Sequence, residues 1–298
     1  MRANGSTVRG LAWTAPFFIG AGAFMLLPAA LSLWYAFTDY SVLEPPVWIG
    51  LDNFREMLHD QALRQALINT ALFCGATVVG STLLSVLVAY LIERGSARGG
   101  GTRVLAETAR TAAFAPTLVP IVAAALAWLW VLNTQKGTVN ALLSPLGLRP
   151  DWLGTSSLAL ASIVMVSLWG VGSYVVIHSA AIRGVPPSLH EAATIDGCGS
   201  WGRFRHVTLP MISPAIVLNV VMSTIWSIQA FAAPLVMTRG GPGNATLTYA
   251  MHVYNNAFVY SRMGYACALA WVQFLLTLAL VGTFLRLSSR MVYTRGSR

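Results

Sequence analysis

Six long runs of apolar residues divide this 298-residue chain, and each is long enough to cross a lipid bilayer. A spanning helix needs about 20 apolar residues, and no run contains Asp, Glu, Lys or Arg. The runs are Ala12–Tyr35, Leu67–Ile92, Thr111–Leu132, Ser157–Ile182, Pro214–Met237 and Met263–Leu285. Only 10% of the residues are charged, against about 25% in typical soluble domains. The sequence therefore predicts an all-α membrane protein with six transmembrane helices.

The first run also has the position of a secretory signal peptide. The apolar region of a signal peptide is about 7–15 residues long, whereas this run continues to Trp34 and Tyr35. We therefore predict a retained helix, and six spans then place both termini on one side.

The charged residues are divided unevenly between the two sides that this topology creates. The side of the termini holds thirteen arginines and four acids, and it accounts for the whole formal net charge of +9. The other side holds six basic and six acidic residues. An excess of Arg and Lys marks cytoplasmic loops. We therefore predict a multi-pass protein of the bacterial plasma (inner) membrane with cytoplasmic termini, and no nucleic-acid partner.

Several kinds of chemistry lack their sequence signatures. The chain has no GxxxxGK[ST] phosphate loop, its five histidines lack metal-ligand spacing, and its three cysteines are scattered. We therefore expect no catalytic residue, metal or cofactor on this chain. A pore or carrier subunit remains, whose energy comes from elsewhere.

Two connecting stretches carry local predictions. The segment 39–66 leads into the stretch LDNFREMLHDQALRQAL (51–67), whose amphipathic pattern predicts an interfacial helix. A plain connector on the membrane surface is the alternative. The stretch ERGSARGGGTR, between the second and third runs, predicts a flexible, cationic cytoplasmic loop.

A polar interlude, SLHEAATIDGCGSWGRFRHVTLP, separates the fourth and fifth runs. Ser188 and Glu191 match an S-x-x-E capping box, which predicts a short helix over LHEAATID. Gly197 is suited to end that helix, because glycine adopts the left-handed conformation. Ser200 would cap a second helix that ends before Pro210, since the residue preceding a proline disfavours helix. The small alanines of the first helix permit close approach to another protein.

The same interlude resembles the EAA motif of binding-protein-dependent ABC importer permeases. That motif reads E-A-A, three residues, G, nine residues, I-x-L-P; the matching residues here are Glu191-Ala192-Ala193, Gly197, Val207, Leu209 and Pro210. Val207 replaces the usual isoleucine, and Cys198 stands where alanine is common. TRGGPGNAT (238–246) and WIGLDNF (48–54) are similar to motifs in the first permease subunit of maltose-type and glycerol-3-phosphate-type importers.

This resemblance, which covers nearly the whole chain, implies a type I ABC importer transmembrane domain at residues 12–290, between cytoplasmic tails 1–11 and 291–298. It implies a coupling (EAA) loop at 183–213, whose docking residues would be Glu191, Ala192, Ala193, Asp196, Gly197, Leu209 and Pro210. The implied partners are a second homologous permease, two ATPase subunits that hold ATP and Mg, an extracytoplasmic solute-binding protein or lipoprotein, and the lipid bilayer.

Polar and aromatic residues within the runs are candidates for the path of a sugar or sugar-like solute. Asn219, Ser223 and Trp226 have the i, i+4, i+7 spacing of one helix face. The other candidates are Gln229, Gln273, Trp169 and Tyr174. The alternative is that these residues hold helices together. The solute could be a disaccharide, an oligosaccharide, an amino sugar or a glycerol phosphodiester.

Two other functions predict different sequence features. An ion-coupled secondary carrier or channel predicts an acid or base within the spans, or an internal repeat. A membrane-embedded enzyme predicts a nucleophile–base pair or a metal cluster. The spans contain no Asp, Glu, Lys or Arg, and the sequence shows no internal repeat, nucleophile–base pair or metal cluster, so it favours the importer.

Overall fold

The computed structural model describes residues 5–96 and 100–288. The predicted C-terminal tail and the first four residues of the predicted N-terminal tail lie outside these ranges. The chain divides into two compact units, one of Met1–Gln61 with His252–Leu275 and one of Ala62–Met251 with Leu276–Arg298.

Helices make up most of the described chain. In chain order they are α1 (Gly5–Ala21), α2 (Leu27–Tyr35), α3 (Asp52–Met57), α4 (Gln61–Ser96), α5 (Gly100–Phe114), α6 (Ile121–Val131), α7 (Thr138–Leu143), α8 (Ser156–Trp169), α9 (Gly172–Arg183), α10 (Pro187–Ile195), α11 (Ser200–Arg203), α12 (Leu209–Met211), α13 (Ser213–Ile228), α14 (Ala232–Met237), α15 (Tyr249–Tyr254) and α16 (Met263–Ser288). Wider π-helical turns occupy Gly22–Leu26, Phe204–Thr208 and Asn255–Val259, and tighter 3-10 turns occupy Ala115–Leu118 and Ser144–Leu146.

The described helices give three to six candidate membrane spans. Trp13–Tyr35, α4 and α16 are each long and apolar enough to cross a membrane. Three further candidates are bent pairs: Gly100–Leu118 with α6, α8 with α9, and Ser200–Met211 with α13. The predicted third and fourth runs are therefore not continuous helices, and the fifth is divided between α13 and α14.

Prolines explain the 102° bend between Gly100–Leu118 and α6. Proline disfavours helical backbone in the residue before it, and Val119, which precedes Pro120, is extended at φ −82°, ψ 123°. The helix must stop there, and α6 starts afresh at Ile121. The third apolar run thus consists of two segments with different directions.

The 49° bend between α8 and α9 coincides with a close helix contact. A Cβ on Gly172 would collide with the carbonyl oxygen of Ala113 at the end of α5, and would lie 2.7 Å from Phe114 Cα. Glycine is therefore required where α9 begins, because any larger residue would push α5 away.

The first unit departs from the all-α prediction in a small antiparallel ribbon, β1 (Thr38–Asp39) with β2 (Val47–Trp48). The buried Asn53 side chain donates to the carbonyls of Ala36 and Thr38 at 2.9 and 3.0 Å, which secures this turn of the chain.

The two local predictions for connecting stretches need correction. The amphipathic stretch after residue 50 is divided between α3 and the first residues of α4. Most of the predicted flexible loop is helical, since α4 continues to Ser96 and α5 begins at Gly100; residues 97–99 lie outside the described ranges.

Two buried clusters hold the second unit together. One joins Phe73 of α4 and Ile163 of α8 to residues of α6 and α14. The other joins Ala89 and Ile92 of α4 to Ala106 of α5 and to the start of α9. Close packing of this kind is a main driving force for helix association within lipid.

Candidate coupling and transport sites

The segment 183–213, hereafter the coupling segment, forms a helix, a left-handed turn and a second helix. Gly197 has φ +79° and follows α10. The N–H of Cys198 donates to the carbonyl of Ala193 at 2.9 Å, and that of Gly197 to Thr194 at 3.0 Å. This pair of bonds is the Schellman ending. The prediction that Gly197 ends the first helix is confirmed.

The two predicted helix caps are wrong. Pro186 is the N-cap of α10 and Pro187 its first residue, so Ser188 lies inside the helix. Proline suits that first position because its φ is preset and its missing N–H has no helical partner there. Likewise Gly199, not Ser200, is the N-cap of α11.

The second helix also passes Pro210, where we predicted an end. The π turn Phe204–Thr208 stands directly before α12, which contains Pro210 and continues to Met211. A proline ring clashes with the carbonyl four residues earlier in an α-helix, and the wider π turn relieves that clash.

The root of the coupling segment is packed on α4. Val185 and Ile212 are buried in one cluster with Val86. The ring centroids of Tyr90 and Phe204 lie 4.5 Å apart. The two ends of the segment are therefore both fixed to α4.

One hydrogen bond ties the two short helices to each other. Arg203 Nη1 donates to Thr194 Oγ1 at 2.7 Å, and that hydroxyl donates in turn to the carbonyl of His190 at 2.7 Å. The segment therefore has internal bonds of its own as well as a fixed root.

The tip of the segment is open to the surroundings. The exposed predicted docking residues are Glu191, Ala192, Asp196, Gly197 and Pro210, whereas Ala193 and Leu209 are half-buried. Sequence reasoning missed Ile195 and Trp201, whose side chains are 87% and 68% exposed. The sequence signal for these two residues was a large apolar side chain next to a predicted turn. The tip thus offers apolar groups and carboxylates together.

Asn219 lies in a buried polar network, and Ser223 Oγ donates to the backbone carbonyl of Asn219 at 2.7 Å within α13. Asn219 Nδ2 donates to Ser85 Oγ at 3.3 Å and to Thr82 Oγ1 at 3.4 Å, both on α4. His178 Nδ1 of α9 lies 3.1 Å from the same Ser85 oxygen. Sequence reasoning missed Ser85 and His178, although a buried histidine in an apolar run is a signal. This geometry favours the helix-contact alternative for Asn219.

The other candidates for the solute path do not gather around that network. Trp226 and Gln229 are exposed near the end of α13. Tyr174 is half-buried and packs on the cluster shared by α4, α5 and α9. Gln273 belongs to the other unit and is half-buried.

Trp169 lies at the end of α8, edge-to-face with Trp128 at 6.0 Å between ring centroids. Both line a cavity of about 490 Å³ with five other apolar side chains: Leu84, Ala161, Val164, Met165 and Leu168. Such a lining offers aromatic faces to a sugar ring but few hydrogen bonds.

The loop TRGGPGNAT is held rigidly, by a residue that sequence reasoning missed. Asn69 of α4, 3% exposed, donates to the carbonyls of Asn244 and Leu247 at 2.7 and 2.9 Å. Thr238 and Thr246 share a hydrogen bond of 2.6 Å across the loop. Backbone groups are thus satisfied where Arg239, Gly240, Gly243 and Asn244 all have positive φ.

The first unit contains its own polar cluster. Asp60 Oδ2 accepts a hydrogen bond from the Tyr265 hydroxyl at 2.8 Å and lies 2.9 Å from His252 Nε2. Arg262 bonds Glu56 and lies over the Tyr265 ring. The bond to Glu56 raises the pKa of the Arg262 guanidinium above its ordinary value.

Within residues 5–96 and 100–288, no group of three or more His, Cys, Asp or Glu side chains is arranged to hold a metal ion. That the chain carries no cofactor stays a prediction.

This chain is similar to known transport proteins over most of its length. A family described as "Binding-protein-dependent transport system inner membrane component" matches residues 81–295. The probable ABC transporter permease protein YesP of Bacillus subtilis is 34% identical over 270 residues, 89% of this chain and 85% of its own. The diacetylchitobiose uptake system permease protein NgcF of Streptomyces coelicolor is 33% identical over 264 residues, 86% of this chain and 75% of its own.

A solved structure shares the fold. A bacterial alginate ABC transporter, in complex with an alginate pentasaccharide-bound periplasmic protein, matches with a TM-score of 0.80 at 21% identity. The match covers 96% of this chain and 95% of that one.

Proposed function

This chain belongs to the family of binding-protein-dependent transport system inner membrane components, and on that premise we propose that it forms half of the pore of an ATP-driven saccharide importer. The pore would consist of this chain and a second homologous permease, each with six spans, and both termini of this chain would be cytoplasmic. ATP and Mg would be held by two copies of a separate ATPase.

The coupling segment carries this proposal. Its root is buried against α4 while Ile195 and Trp201 extend from the tip. Exposed apolar groups on a rigid support are typical of a protein contact. In our account the ATPase receives this tip, and Glu191 and Asp196 add charged contacts at its rim.

The solute class follows from named relatives. NgcF is named for diacetylchitobiose uptake, and the alginate transporter was solved with a saccharide-bound periplasmic protein. An external binding protein would likewise deliver a saccharide to this chain. The remaining candidates for the path are Trp169, Tyr174, Ser223, Trp226, Gln229 and Gln273. Asn219 would act by holding α13 to α4.

The proposal is tested by recovering the partners of the tagged, gently extracted chain by mass spectrometry. A second permease and an ATPase are expected with the natural chain and with Leu58→Asp. Ile195→Asp should lose the ATPase but retain the permease. Leu58 is 82% exposed and Ile195 87%, so the two changes are matched in chemistry and exposure. Equal recovery of the ATPase by both variants would contradict docking at the tip.

Binding of saccharides is tested on the companion binding protein. A panel of disaccharides, oligosaccharides and amino sugars should raise its thermal unfolding midpoint. Stabilisation by amino acids or metal ions alone would contradict the proposed solute class.

A further inference from the structure

Three helices of the second unit converge on Glu93, near the end of α4. Glu93 Oε1 accepts a hydrogen bond from Arg110 Nη2 of α5 at 2.8 Å. The same oxygen lies 3.7 Å from Nε of Arg183, the last residue of α9. The neighbouring Ile92 belongs to a buried cluster that the same three helices share. Glu93 therefore joins the three helices through polar contacts, next to the apolar cluster that they share.

The two contacts of Glu93 differ in strength. The side chains of Glu93 and Arg110 are only 9% and 15% exposed, so water screens their attraction little. Arg183 is 53% exposed and more distant, and exposed pairs are weak. The Arg110 contact therefore fixes α5 to α4, whereas the Arg183 contact can form and break easily.

Arg183 is the first residue of the coupling segment. Gly184 and the buried Val185 follow it, and α10 begins at Pro187. Three residues, 184–186, therefore separate Arg183 from α10.

We propose that Glu93 is a positioning residue of the transport cycle, which rests on the proposed function. Held by Arg110, it presents a fixed carboxylate that captures Arg183 in one state of the coupling segment and releases it in the other. The capture makes the motion of the tip depend on the packing of α4, α5 and α9.

The test uses the complete complex in lipid nanodiscs. ATP hydrolysis is measured in the absence and in the presence of the companion binding protein, which is isolated from its host. Glu93→Gln should assemble normally but lower the ratio of stimulated to unstimulated hydrolysis at least about fivefold, a modest allosteric coupling. Glu93→Asp, which keeps the charge, should restore part of the ratio. Arg183→Gln should lower it in the same direction.

Glu107→Gln is the matched control. Glu107 Oε2 also accepts a bond from Arg110, at 2.6 Å, but it lies on the same helix and is 53% exposed. It connects no helices, so the ratio should stay within about twofold of the natural complex.

An unchanged ratio in Glu93→Gln, or an equal fall in Glu107→Gln, would overturn the inference. If Glu93→Gln fails to assemble, Arg183→Gln decides, because its side chain is largely exposed and its loss should not prevent folding. A natural complex without an ATPase would instead refute the proposed function itself, and this inference with it.

Discussion

Replacing Gly197 with alanine tests whether the shape of the coupling segment matters for docking. Gly197 has φ +79°, and a Cβ built there meets nothing within 4 Å. The substitution therefore causes no clash, and its whole cost is the left-handed backbone, about 1–2 kcal/mol for a residue with a Cβ. This cost lowers the population of the observed turn by about 5- to 30-fold. The affinity for the ATPase should fall by no more than the same factor.

The assay is a titration of the purified ATPase onto the permease pair in nanodiscs. Gly197→Asn should lose less affinity than Gly197→Ala, because asparagine populates the left-handed region more readily. Gly199→Ala is the control, since Gly199 has an ordinary φ of −66° and also has open space around it. Equal affinities for Gly197→Ala and Gly199→Ala would refute the reasoning.

Three further predictions concern contacts within the second unit. Gly172→Ala should destabilise the purified chain in thermal unfolding by about 1–3 kcal/mol, because its Cβ would overpack against the Ala113 carbonyl of α5. The control Gly170→Ala should be tolerated, because its Cβ would meet its nearest atom at 3.6 Å. Equal losses of stability in the two variants would contradict this prediction. Asn69→Ala should lower the free energy of unfolding by about 1–3 kcal/mol, because it leaves two carbonyls of the 239–248 loop without their donor. Limited proteolysis should then cut that loop faster. An unchanged cleavage rate would show that Asn69 does not anchor the loop. Ser85→Ala should cost about 0.6–1.7 kcal/mol in unfolding titrations by removing the oxygen shared with His178, and no measurable loss would show that the network adds nothing to stability.

The sequence predicted those parts of the fold that depend on local chemistry. Runs of apolar residues located the candidate spans, because their length is set by the bilayer. Gly197 was correctly predicted to end α10, since the left-handed conformation is a property of the residue itself. The S-x-x-E pattern predicted the wrong N-cap because Pro187 occupies the first position of the same helix, so that Ser188 lies inside it.

The features that were missed depend on contacts between distant residues. Apolarity shows that a run prefers lipid but not its direction, so the 102° bend could have been inferred only from Pro116 and Pro120. Ser85 and Asn219 are separated by 134 residues, and one sequence does not report that they meet. The docking and solute-path residues stay predictions for the same reason, because their partners are other molecules.

Hydrogen exchange of the amides in the coupling segment tests the central claim most directly. Peptides that cover 187–203 should exchange more slowly once the ATPase is added to the permease pair, while the peptide that covers α3 should be unchanged. Protection confined to 187–203 would establish the tip as the docking site. Unchanged exchange there at saturating ATPase would contradict the account.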